Sequence, residues 1–317
     1  HLAQLKKEGE SGRRRITQYT RYGTVILATF QGLGIAVGLE GMTGSQGSAV
    51  LDPGLPFRAV TVITLVGGTI FLMWLGEQIT ARGVGNGISL IIMAGIVAEL
   101  PAAMASTLEL GRTGALSALF IILLMGMTVA VIAFIVFVER AQRRLLVQYP
   151  KRQVGNRMSG GESTHLPLKL NTAGVIPPIF ASSLLLLPIT AMSFSANSGP
   201  DWLGNVSAML SRGSPGYLLL YVSLIVFFAF FYTSVVFNPE DTADNLKKNN
   251  GFIPGIRPGK NTAEYIDYVL RRLTTAGAIY LSAVCVLPEI LISQYAVPFY
   301  FGGTSLLIVV DVNMDFV

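Results

Sequence analysis

Leu116-Ser117-Ala118-Leu119-Phe120-Ile121-Ile122-Leu123-Leu124-Met125-Gly126-Met127-Thr128-Val129-Ala130-Val131-Ile132-Ala133-Phe134-Ile135-Val136-Phe137-Val138 runs without a charged residue and stops at Glu139-Arg140. A helix rises 1.5 Å per residue, so about 20 apolar residues cross the ~30 Å hydrocarbon core of a bilayer. The stretch has that length, and it has no polar side that could face water. It reads as a membrane span.

Three further stretches are equally free of charge: Tyr22–Leu39, Ala59–Gly76 and Tyr217–Phe237. Ala173–Phe194 is as apolar but holds Pro177, Pro178 and Pro188, which predicts a kinked or unwound segment. Leu273–Ile292 carries Pro288 and Glu289 near one end. Val84–Leu100 contains Asn86 and Glu99, and a last apolar run from Val297 onward is interrupted at Asp311. The expected fold is therefore all-α, a polytopic transmembrane helix bundle of about eight spans. Composition agrees, with 51% hydrophobic and 13% charged residues and a mean hydropathy of +0.57, where soluble domains carry about 25% charge.

The net charge of +5 has to be read loop by loop, because Lys and Arg set the orientation of a membrane chain. With the N-terminal segment placed in the cytoplasm, alternate connections collect every one of the 23 Lys and Arg residues except Arg58, Arg112 and Arg212. One missed or invented span would scramble this alternation. The count thus supports eight spans, with both ends cytoplasmic. His1 is not a Met, and the chain stops at Val317 inside an apolar run, which reads as part of a longer polypeptide.

Five regions follow. Residues 1–138 hold the basic N-terminal segment and four spans, and 139–172 is a basic loop. Residues 173–237 hold two spans, 238–272 form a second basic loop, and 273–317 hold the last two spans. In the first loop, Leu145-Leu146-Val147-Gln148-Tyr149 followed by Gly155-Asn156 resembles a ribbon with a turn. In the second, Asn238 can cap a short helix with Pro239 at its first position, Glu240 and Asp241 in its first turn, and Lys247 and Lys248 at its end. Asn249-Asn250-Gly251 would stop it. Pro254-Gly255-Ile256-Arg257-Pro258-Gly259 should form a rigid turn presenting Arg257. Asn261 and Glu264 make a capping box for a helix leading into the seventh span. Basic loops of this kind are ordinarily solvated topology signals, but they can also dock an anionic partner such as RNA or an acidic protein face.

Catalytic motifs are missing: the chain has no H-E-x-x-H, G-x-S-x-G or G-x-x-x-x-G-K-[ST]. Cys285 is the only cysteine, and His1 and His165 are far apart in the chain, so neither a metal site nor a cofactor is expected. Glu77, Glu99, Glu289, Asp311 and Asp315 sit near span ends, not at the midplane where an ion-coupled transporter would need them. Gly83-Val84-Gly85-Asn86-Gly87 reads as a tight turn between spans. A passive or partner-driven conduit fits better than an enzyme or a proton pump. A secondary transporter of a small solute and a membrane scaffold are the competing readings.

Ordered segments then make the chain recognisable. They are Lys6-Lys7-Glu8-Gly9-Glu10-Ser11-Gly12-Arg13-Arg14, Phe71 to Thr80 running on to Gly85-Asn86-Gly87-Ile88-Ser89, and Ser163-Thr164-His165-Leu166-Pro167-Leu168-Lys169. Asn245-Leu246-Lys247-Lys248 with Pro254 to Gly259, and Phe299 to Ile308, complete the set. In order and spacing the whole chain resembles the SecY family, the channel subunits of the bacterial Sec protein translocon. The resemblance implies a ten-span fold of the bacterial inner membrane, of which these eight spans would be the third to the tenth. The first two spans and the plug lie outside this chain. It implies a pore ring containing Ile92, Ile179 and Ile308, although a single isoleucine in a membrane helix ordinarily just packs or meets lipid. A narrow apolar ring can dewet and block ions, yet close around a passing polypeptide.

The resemblance also implies a lateral gate lined by Gln31 and Asn171, through which a signal sequence of the substrate preprotein, or a membrane segment, passes sideways into membrane lipid. It implies docking of SecA or the ribosome, ribosomal RNA included, on Arg257, with Arg143, Arg144, Arg152, Arg157, Lys247 and Lys248 contributing. SecE and SecG would be the companion subunits.

Overall fold

A computed structural model describes residues 10–40, 43–44, 47–48, 50–83, 85–150, 152–154, 157–159, 163–195, 205–206, 208–211, 213–295 and 303–315. It divides into two compact units, residues 1–92 with 184–211 and residues 93–183 with 212–317. Among the described residues, six helices are long and apolar enough to cross a membrane, starting at Arg14, Leu55, Gly87, Ala118, Pro215 and Lys260. Two shorter apolar helical stretches, Ile176–Ile189 and Thr304–Met314, complete the expected eight. The start of the last span, from Val297, and the basic residues Lys6, Lys7, Lys151 and Arg212 lie outside the described residues.

The first unit is built on a helical hairpin. Helix α1 (Glu10–Glu40) and helix α2 (Leu55–Arg82) pack together, joined by a segment that includes a small ribbon of β1 (Thr43–Gly44) and β2 (Gly47–Ser48). Pro56 falls in the first turn of α2, where no intrahelical donor is missed. The arms run close: a methyl group on Gly32 would stand 3.6 Å from Val62 Cα. Ion pairs tie both ends, Arg21 to Glu77 and Arg58 to Glu40. Helix α3 (Gly87–Arg112) starts in this unit against α2. Gly87 has no room for a side chain, since a Cβ would meet Gly76 O at 2.2 Å. The expected glycine turn is therefore forced by packing as well, with Val84 outside the described residues.

The second unit takes in α3 from Met93 onward and then helix α4 (Ala118–Glu139), capped by Ser117 Oγ, which accepts from Phe120 N at 3.3 Å. Next come β3 (Gln142–Gln148), β4 (Arg152–Val154), β5 (Arg157–Ser159) and β6 (Ser163–Lys169). Strands β3 and β6 pair antiparallel from Gln142 opposite Lys169 to Gln148 opposite Ser163, and β4 pairs with β5. The expected ribbon is present. Its tip at Gly155-Asn156 lies outside the described residues.

Helix α5 (Ile176–Ser195) places Pro177 and Pro178 in its first turn, so the unwinding expected there is a helix start after a turn at 172–175. Pro188 is accommodated inside it. Helix α6 (Pro215–Val236) buries Tyr217, Tyr221, Ile225, Ala229 and Thr233, a stripe of every fourth residue, and packs on the long helix α8 (Lys260–Tyr295). The short helix α7 (Pro239–Lys248) and helix α9 (Gly303–Asp315) also pack on α8, and α9 packs on α4. Away from these contacts, Leu219, Phe227, Phe231 and Val235 are exposed on α6, an apolar surface that water would not tolerate and lipid would cover.

One helix start departs from expectation. The capping box at Asn261 and Glu264 is not used, because α8 begins at Lys260, two residues before the start that a cap at Asn261 would give. Gly259 supplies the acceptor instead, its carbonyl taking the N–H groups of Thr262 and Ala263 at 3.0 and 3.1 Å. With φ at +107°, Gly259 enters from a backbone region closed to most side chains.

Candidate functional site

The two basic loops do not stand apart. Alternation along β3 turns Leu145 and Val147 inward and Gln142, Arg144, Leu146 and Gln148 outward, and Arg143, in register with Leu145, is exposed as well. Leu145 and Val147 join Leu168 of β6, Leu246 of α7, Ile253 of the following turn, and Ile266 and Val269 of α8 in one buried cluster. Gln148 and Phe252 exchange backbone hydrogen bonds at 2.9 and 3.0 Å, so the second loop adds a short third rung to the ribbon. The result is a small basic lobe with its own apolar core.

That core positions the charges. Asn238 Oδ1 accepts from Glu240 N at 3.1 Å and its Nδ2 donates to Asp241 Oδ2 at 2.9 Å, so the expected cap of α7 is in place. The helix ends on Asn249, and Asn250 takes a φ of +56°. Lys247 and Lys248 are exposed beside the buried Leu246. Turns at Pro254-Gly255 and Pro258-Gly259 bracket Arg257, which is exposed, and its carbonyl accepts from Thr262 Oγ1 at 2.9 Å. Arg143, Arg144, Lys247, Lys248 and Arg257 thus flank residues of a single core. Arg152 and Arg157 lie on β4 and β5, and their side chains fall outside the described set.

The expected pore and gate residues are distributed over both units. Ile92, half-buried on α3, belongs to the first; Ile179, half-buried on α5, and Ile308, buried on α9, belong to the second. Gln31 is half-buried on α1 in the first unit. Asn171, in the second, is buried, and its Nδ2 donates to Glu139 Oε1 at 2.8 Å and to Gly174 O at 3.2 Å. Sequence reasoning passed over Glu139 as a loop boundary. The available signal was a lone carboxylate ending an uninterrupted apolar block.

The family model for SecY matches residues 1–317. The chain belongs to the SecY family. It is 59% identical over 316 residues to the protein translocase subunit SecY of Escherichia coli strain K12, covering 99% of this chain and 71% of that one. The corresponding subunit of Rickettsia conorii is 58% identical over 314 residues, with 99% and 72% covered. Two solved structures share the fold. One, in which the plug domain of SecY stabilises the closed translocation channel, matches at a TM-score of 0.69 and 17% identity over 96% of this chain and 73% of that chain. The other, a protein-conducting channel, matches at 0.71 and 16% over 96% and 72%. Family membership identifies the chain as a multi-pass membrane protein and a SecY-type translocase subunit, and it favours the channel over the small-solute transporter.

Proposed function

We propose that the chain passes unfolded secretory polypeptides across the bacterial inner membrane and releases apolar segments sideways into lipid. The basic lobe faces the cytoplasm, as do both ends of the chain, and it docks the machinery that supplies the polypeptide. SecA and the ribosome are the expected partners, with SecE and SecG as companion subunits. Ile92, Ile179 and Ile308 contribute to an apolar constriction, and Gln31 and Asn171 to the lateral gate. One observation carries the docking part of this reading: the two loops richest in Lys and Arg share one buried core. Solvated topology signals need no core, whereas a surface that must meet a partner in one shape does.

Arg257 is the test. Its side chain is exposed and bracketed by glycine turns at φ +84° and +107°, so reversing its charge should leave the lobe folded. Arg257→Glu in the complete polypeptide should abolish SecA-driven preprotein translocation into proteoliposomes while the translocase still assembles. Normal translocation by that variant would sink the docking assignment. For the constriction, a polar substitution at Ile92, Ile179 or Ile308 should raise ion leak, and an unchanged leak would remove that residue from the ring.

A further inference from the structure

Asn171 stands where three elements meet. It follows the last strand of the ribbon and is 5% exposed, and Glu139, the last residue of α4, is 8% exposed. Across the ribbon base, Leu170 N donates to Ala141 O at 3.0 Å, closing the ladder next to this pair. The third side is α8. A methyl group at Gly277 would come within 2.9 Å of Leu170 O and 3.5 Å of Asn171 Cα, so only glycine lets the helix approach this backbone. Gly174, at φ +65°, then turns the chain into α5, which carries Ile179.

The chemistry of the amide follows from its neighbours. A carboxamide has two N–H donors on one atom and acceptor lone pairs on the other. Gly174 O is an acceptor that cannot donate, so the nitrogen must face it, and the Glu139 carboxylate takes the second N–H. Both donors are therefore spent inside the second unit. Oδ1 is the amide atom left to bond anything else.

We propose that Glu139 is a positioning residue of the lateral gate. It fixes the Asn171 amide so that the gate is offered an acceptor, while Gly277 fixes the backbone that carries it. The group that closes on Asn171 is then a donor, an N–H or an O–H. This inference rests on the reading of Asn171 as a gate residue.

The experiment measures export, in cells carrying the complete polypeptide, of a reporter preprotein with a defective signal sequence. Such a reporter passes only when the gate is weakened. Asn171→Ala should raise its export about three- to thirty-fold, the range for a lost interhelical hydrogen bond in a membrane. Glu139→Ala should match it, and Glu139→Gln, which keeps an acceptor oxygen, should return export towards the wild-type level. Gly277→Ala leaves every hydrogen-bonding group in place but displaces the Asn171 backbone. It should also raise export, and it decides the matter if Glu139→Ala fails to accumulate. If Asn171→Ala raises export while Glu139→Ala and Gly277→Ala do not, the positioning role is overturned and the gate reading stands. Equal effects of Glu139→Gln and Glu139→Ala also overturn it, since loss of charge would then explain both. No change with Asn171→Ala removes the gate reading and this inference with it.

Discussion

At Gly251 a single hydrogen stands where a methyl group would come 2.9 Å from Tyr149 Cε1 and 3.2 Å from Val147 Cγ1. The glycine follows the end of α7, where its N–H donates to Leu246 O at 2.8 Å, and its packing role is to let the first loop's Tyr149 ring come close to the second loop. Gly251→Ala should therefore loosen the lobe by about 1–3 kcal/mol, the usual range for overpacking, and be read as faster limited proteolysis between residues 142 and 260. Asn238 works differently. Its side chain satisfies an amide at the start of α7, so Asn238→Ala should cost about 1 kcal/mol, seen as a lower urea midpoint for protease protection of the same lobe. These two residues also mark how far the sequence could be read. The cap was legible because its parts lie within four residues of each other. The contact of Gly251 with Tyr149 was not, because its partners are brought together only by the shared core. Arg257 falls between these cases: flanking Pro-Gly pairs announced the turn, but nothing local disclosed that Ile253 anchors it.

The helical hairpin of α1 and α2 shows the same limit for whole elements. Both helices were legible as apolar blocks, while the ion pairs that close the hairpin were not, because Glu77 read only as a polar span end, Arg58 only as an exception to the charge alternation, and no local pattern links either to its partner. In the structure Glu40 takes Gly54 N at 3.0 Å on Oε1, and Arg58 Nη2 at 2.6 Å and Nε at 3.0 Å on Oε2. At the other end Arg21 Nε reaches Glu77 Oε1 at 3.2 Å. Both pairs involve the planar guanidinium fork, which matches a carboxylate better than an ammonium can. Charge reversal at Arg58 should therefore lower the thermal stability of the purified protein in detergent, and the double exchange Glu40→Arg with Arg58→Glu should recover part of the loss. Equal melting temperatures for single and double variants would mean that the pair contributes nothing beyond its separate charges. Helix α8 carries the opposite lesson. Its span was expected at Leu273–Ile292 with a helix leading into it, and the two run unbroken from Lys260. The buried faces of Ile266, Val269 and Leu270 continue directly into the apolar stretch, so the polar lead-in and the apolar span form one helix, as the sequence led one to expect.

For the molecule as a whole, the deciding sequence property was the placement of charge, because it bears on orientation as well as span number. The basic lobe gathers residues from both large loops on one side of the second unit's long helices, while the connection from α3 to α4 holds no Lys or Arg, Arg112 at the end of α3 being the lone basic residue beside it. Translocating Lys and Arg during insertion is unfavourable, so the poorly charged connection should be the one that crosses the membrane. A labelling experiment tests this cleanly. Cys285 is the only cysteine and is 1% exposed, so a thiol reagent has no other cysteine to meet. Ala115 in the sparse connection and Asn249 at the end of α7 are both exposed, and cysteine at either position should react freely where reagent reaches it. In intact spheroplasts, a membrane-impermeant maleimide should modify Ala115→Cys, and it should modify Asn249→Cys only after the membrane is permeabilised. The reverse pattern would place the lobe outside the cell, away from any ATP-driven motor or ribosome, and would defeat the docking reading regardless of how well its core is packed. Labelling of both positions from the same side would be more damaging still. It would mean that an odd number of the helices from α4 to α6 fails to cross, and the agreement between charge alternation and span count would be accidental.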